Sequence, residues 1–109
     1  MKKLAYIVTK QHTGEFMEDS VLLPLSQGNH VGEVVAIYFV EDGIYHLVKG
    51  ARSSKNIKVA QENGKLKIIG CKTSIKNRNL QNVIIDGIEQ GNFNDFFKYA
   101  TEADYIISF

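Results

Sequence analysis

At 109 residues the chain can build one hydrophobic core but not two, so it reads as a single domain spanning residues 1–109. Hydrophobic residues at 44 % and charged residues at 23 % exclude a disordered polymer. Thirteen basic against 12 acidic residues leave a net charge of +1, which predicts neither nucleic acid nor an anionic membrane as a partner.

The first residues, MKKLAYIVTKQH, imitate the charged head of a signal peptide. The apolar run 4–8 is broken by Thr9 and Lys10, short of the roughly 7–15 apolar residues such a signal needs. No run approaches the ~20 residues of a membrane span, so a soluble protein is expected. Residues 4–8 themselves read as a strand. Residues 15–28 have helical character, with Phe16, Leu22, Leu23 and Leu25 on one side and Pro24 at a kink or near the first turn. A second strand follows at 33–40, then a short helix at 42–50 in which Asp42 is a candidate cap and Gly50 the stop. Residues 53–64 form a helix between a serine cap and the pair Asn63-Gly64. A third strand covers 65–70, a fourth is expected at 82–85 (NVII), and Asp86-Gly87 marks a turn after it. The helix over 92–103 should turn Phe93, Phe96, Phe97 and Ala100 inward, before a last strand at 104–109.

These strands are β-branched and mostly continuous rather than alternating, the pattern of strands buried on both faces. Strands alternating with helices predict a three-layer α/β/α domain with a mainly parallel five-stranded sheet. In such sheets functional groups gather beyond the carboxyl ends of the strands, here residues 10–14, Glu41 with Asp42, residues 71–74, and Asp86 with Gly87. The chain's one cysteine, Cys71, falls in that set. It cannot form an internal disulfide, which fits a reducing cytoplasm.

Two readings of Cys71 stay open from the residues alone. A thiolate is favoured near helix N-termini and cations, and Thr73 or Ser74 could cap the following segment while Lys72, Lys76 and Arg78 add positive charge. Free cysteine is also among the most buried residue types. Familiar sites fail on spacing. Six residues separate Cys71 from Arg78 where a phosphatase loop needs five, and Ser74 stands where a thioredoxin site needs a second cysteine. A receiver domain would carry aspartate at position 71, and neither a Walker loop nor a dinucleotide fingerprint occurs.

The run CKTSIKNRNL, followed by VIIDGIEQGNFNDFFKYATEADYIISF, resembles the DsrE/DsrF-like sulfur-relay family, particularly its small YchN-like members. KLAYIVT and VVAIYFVEDGIYHLVKG extend the resemblance over most of the chain. It implies a parallel five-stranded domain assembled as trimers or hexamers, and a cysteine that accepts sulfur as a persulfide and passes it on. Only Cys71 carries over as the active residue. Ser74 stands where YchN-like members often have a second cysteine, so no intrachain dithiol is implied.

Of the other candidates, His12 could orient or deprotonate a group at the strand mouth, and a solvated loop histidine is the alternative. His30 reads as a loop residue and His46 as a partly exposed helix residue. Arg78 could hold an anionic persulfide or simply cover surface. No metal-ligand spacing appears, and no cofactor is expected. The leading expectation is a cytoplasmic sulfur carrier, exchanging sulfane sulfur with donor and acceptor proteins through Cys71, with residues 72–74 stabilising the anion and Lys72 or Arg78 assisting. Whether it is an enzyme of sulfurtransferase type or a carrier alone stays open. The alternatives are a non-catalytic oligomeric scaffold with a structural cysteine, and a small-ligand or nucleotide-binding module using residues 9–14. A homo-oligomer, trimer or hexamer before dimer, is also expected because Phe39, Tyr45, Leu47 and Val48 look surplus to one small core.

Overall fold

The computed structural model describes residues 2–11, 21, 24, 32–63 and 66–109. His12, His30 and nearly all of the helix expected over 15–28 lie outside them. Five strands, β1 (Lys3–Val8), β2 (Glu33–Phe39), β3 (Lys67–Cys71), β4 (Glu89–Gly91) and β5 (Tyr105–Ser108), form one sheet in the order β4-β3-β2-β1-β5. Every adjacent pair is parallel. A 3-10 helix (Glu41–Leu47) and helices α1 (Ser54–Asn63), α2 (Lys72–Asn77) and α3 (Phe93–Ala100) complete the described elements.

The crossovers from β2 to β3 to β4 step in one direction. Right-handed connections therefore put α1 and α2 on the same face. The return from β4 to β5 runs the opposite way and puts α3 on the other. Side chains agree: a Cβ on Gly70 would meet Leu47, Ile75 and Ile44 at 3.0–3.6 Å, so that side of β3 faces the 3-10 helix and α2. Tyr38, opposite Ile69 in the register, stacks on Phe96 of α3 at 5.3 Å. Cys71 lies two residues after Ile69 and shares the α3 side.

Among the described residues the interior is mostly aliphatic, with the rings of Tyr6, Tyr38, Phe39 and Phe96 buried in it, the two phenylalanines at 0 % exposure. Each such side chain stabilises the fold by about 1.5–3 kcal/mol. Gly43 lets the 3-10 helix approach the end of β1, because a Cβ there would lie 2.0 Å from the Val8 carbonyl oxygen.

Three expectations need correction. Residues 82–85 are not a strand of the sheet. Ile84 makes an isolated antiparallel bridge with Val48, and the Ile85 N–H donates to the Leu47 carbonyl at 2.9 Å. Their apolar character serves loop-on-loop packing, and the fourth strand is the polar segment EQG at the sheet edge. Gly87 has φ +86, as a tight turn requires, but it precedes β4 rather than following a strand. Second, Phe96 and Ala100 are buried, whereas Phe93 and Phe97 are 48 % and 42 % exposed. A lone helix on a sheet buries one narrow stripe, and those two rings stand beside it. Third, Phe39 and Leu47 are wholly buried within the single chain, so they are not surplus.

Candidate functional site

Cys71 ends β3 and is itself the N-cap of α2, in extended conformation at φ −64° and ψ 116°. Its Sγ accepts the Ser74 N–H at 3.5 Å. The sequence suggested Thr73 or Ser74 as the cap of this helix; the sulfur of Cys71 is the cap instead. The Ser74 hydroxyl, the Tyr38 hydroxyl and the Thr73 N–H act on the sulfur as further donors that lower its pKa. The Ser74 hydroxyl is fixed in turn, because its Oγ accepts the Glu41 N–H at 2.9 Å. Ser74 is 4 % exposed and Tyr38 is 5 % exposed, so little water competes for these bonds.

Burial pushes the Cys71 thiol up, but the hydrogen bonds from Ser74, Tyr38 and Thr73 outweigh it and hold the pKa below the ordinary thiol value. Tyr38 moves the opposite way: burial, then the bond to Cys71, raises its hydroxyl well above the usual phenol range. It stays protonated at neutral pH and so remains a donor. The lysine and arginine charges that the sequence suggested are not among the leading influences on the thiol. Nor is the sulfur as open as its strand-end position implied, because Cys71 keeps only 9 % of its surface.

Lys72 and Thr73 are exposed, flanking the thiol on α2. Arg78 is engaged elsewhere. Its Nε and Nη2 donate to Asp42 Oδ1 at 3.2 and 3.0 Å, Nη1 donates to the Ser74 carbonyl at 3.3 Å, and Nη2 lies 3.5 Å from Glu41 Oε2. It ties the start of the 3-10 helix to α2, where Glu41 adopts the left-handed φ of 53° that aims its N–H at Ser74. Asp42 is therefore an ion-pair partner and not a cap; the N-cap of the 3-10 helix is Val40, which makes no side-chain cap bond.

His46, expected on the surface, is 4 % exposed. Its Nδ1 lies 2.9 Å from Ser53 Oγ and its Nε2 3.1 Å from the Lys10 carbonyl oxygen. Among the described residues no group of three or more His, Cys, Asp and Glu side chains could hold a metal ion. Sequence reasoning missed Tyr38. The available signal was a tyrosine inside a strand otherwise aliphatic and aromatic, whose hydroxyl must find a buried partner.

Fold and thiol together define a small parallel α/β protein with one cysteine where its third strand meets a helix. The chain belongs to the DsrE/DsrF-like family, whose profile matches residues 2–109. The crystal structure of YchN from E. coli is similar over 100 % of both chains, with a TM-score of 0.74 and 16 % identity. MTH1491 of Methanobacterium thermoautotrophicum, a protein of unknown function, is similar over 99 % of both chains, with a TM-score of 0.69 and 11 % identity. At such identities the likeness shows the fold. No curated protein matches the chain, and among the described residues no helix is long and apolar enough to cross a membrane. Family membership points to sulfur relay in the broad sense.

Proposed function

We propose that the protein is a cytoplasmic sulfur carrier that holds sulfane sulfur as a persulfide on Cys71. The observation that carries this reading is the convergence of four hydrogen-bond donors on Cys71 Sγ, which lowers the thiol's pKa despite its burial. The thiolate attacks the outer sulfur of a donor persulfide. Its electron pair forms the new S–S bond, the donor's S–S bond breaks, and the donor sulfur leaves as a thiolate. The transfer involves no net oxidation. Delivery to an acceptor thiolate repeats the exchange with Cys71 as the leaving group, and the same donors that stabilise its anion ease that departure.

The carrier works as a homo-oligomer in this reading, trimer or hexamer. Support for assembly comes from Phe93 and Phe97 on α3 and from Tyr105, Ile106 and Ile107 on the edge strand β5, all 39–55 % exposed. Sedimentation showing only monomer at micromolar concentration would remove that part.

Intact mass after incubation with a cysteine desulfurase and cysteine tests the carrier itself. One added sulfur, released by reductant and missing from Cys71→Ser, is the expected result. The slight exposure of Cys71 favours a rival in which the cysteine only fills space. A thiol that alkylates only after unfolding would establish that rival.

A further inference from the structure

The near-neutral total charge hides a division of the chain. Nine of its 13 basic residues lie between positions 49 and 78, against one of its 12 acidic residues, Glu62. That stretch carries +8 and the remainder −7, which is how the whole reaches +1. At the end of that stretch Arg78 pairs with Asp42 and Glu41 across the division. Residues 49–78 are the loop before α1, then α1, β3 and α2, and the two helices share one face of the sheet.

Six of these cations, Lys49, Arg52, Lys55, Lys58, Lys72 and Lys76, are exposed and enter no ion pair among the described residues. Lys55 and Lys58 fall on one side of α1, and Lys72 and Lys76 on one side of α2. Burying hydrophobic positions does not account for exposed, unpaired like charges on two neighbouring helices and the loop before them, and their mutual repulsion opposes folding. The thiol lies at the strand end beside this face: Cys71 turns to the α3 side of the sheet, and Lys72 follows it directly as the first residue of α2.

We infer that this face docks an acidic surface of a partner protein that presents its own reactive sulfur to Cys71. The sulfur chemistry in this statement rests on the carrier reading above; the docking does not. A protein fits better than a nucleic acid for two reasons. Single strands bind where bases stack on exposed rings between the cations, and the large apolar side chains exposed among the described residues lie on α3, on β5 and at Val83, none of them on α1 or α2. The face is also short, with Glu41 and Asp42 exposed on one side of it and Glu62 on α1, so a long polyanion would run into like charge.

Binding is measured with Cys71→Ser protein, so that no covalent chemistry intervenes, by the anisotropy of a labelled glutamate-rich peptide of about ten residues. Lys55→Glu with Lys72→Glu should weaken binding at least tenfold, whereas Lys2→Glu with Lys98→Glu, the same charge change elsewhere, should weaken it less than twofold. Raising salt from about 50 to about 300 mM should abolish most of the binding. Equal losses from the two pairs would reduce the effect to net charge and overturn the proposal, and so would tighter binding of an RNA oligonucleotide of equal charge. In a second arm, parent protein receives sulfur from persulfides of an acidic and a neutral cysteine peptide. Faster transfer from the acidic donor, lost in the Lys55→Glu, Lys72→Glu variant, supports the docking face. Equal transfer from both overturns docking and leaves the carrier standing. Selective binding without any transfer keeps the docking face and removes the carrier.

Discussion

Cys71 closes β3 and His46 lies in the 3-10 helix that follows the neighbouring β2, each at less than 10 % exposure and each hydrogen-bonded, yet their surroundings act in opposite ways. The Lys10 carbonyl can only accept, so His46 Nε2 carries a proton, and Nδ1 bonds the Ser53 hydroxyl, a group that can both give and take. The ring is bonded at both nitrogens and staples the segment after β1 to the 3-10 helix. Around Cys71 every named partner donates. A thiol satisfies such a set poorly and a thiolate satisfies it well. Partner direction, more than burial, distinguishes the two sites.

The largest effect should come from breaking the staple. His46→Leu removes both bonds and leaves the buried Ser53 hydroxyl without this partner, so a loss of about 1–3 kcal/mol is expected in urea unfolding. The pH profile of Cys71 alkylation on the folded protein should not move. A loss under about 0.5 kcal/mol would mean that the histidine is no staple.

Ser74→Ala should affect both stability and reactivity, because that hydroxyl accepts from Glu41 and donates to Cys71. About 1–2 kcal/mol of stability should go with the bond to the Glu41 amide. The thiol's pKa should rise, and alkylation at neutral pH should slow about two- to tenfold, one lost hydrogen bond expressed as an ionisation constant. Stability loss with an unchanged alkylation profile would assign Ser74 to the loop alone.

The contrast was only half legible in the sequence. The aliphatic runs of β1, β2 and β3 were readable because the sheet's middle is covered on both faces, and the position of Cys71 at a strand end followed from them. The three-residue β4 was not, since Glu89, Gln90 and Gly91 owe their strand geometry to pairing with Ile69, Gly70 and Cys71 rather than to any pattern of their own. Partners distant in sequence were equally hidden. His46 is buried by Lys10, and Arg78 is drawn away from the thiol by Asp42, each 36 positions away along the chain. Tyr38 meets Cys71 only through the β2–β3 register.

Tyr38→Phe isolates one donor at less cost to the fold. Its ring stacks on Phe96 and keeps that contact as phenylalanine. The hydroxyl's removal leaves Cys71 three of its donors, so stability should change by less than about 1 kcal/mol. Alkylation at neutral pH should still slow, about two- to tenfold, as the thiol's pKa rises. Unchanged reactivity would show that the backbone N–H groups and Ser74 suffice, and would narrow the site to α2.

The smallest expected effect is thermodynamic. Cys71 is held below the ordinary thiol value because the folded state stabilises its anion. Between the lowered folded value and the ~8.5 of a free thiol, the unfolded chain binds more protons at this position than the folded one. Stability therefore rises with pH across that window, and this contribution is lost as pH falls through the folded value. Other groups titrate too, so the quantity to follow is the stability difference between the parent and Cys71→Ala, measured by urea unfolding in reductant from neutral to mildly alkaline pH. The parent should gain on the variant as pH rises and level off above the free-thiol value. A flat difference would mean that the donors around Sγ serve the neutral thiol as well as the anion, and the distinction between Cys71 and His46 would disappear.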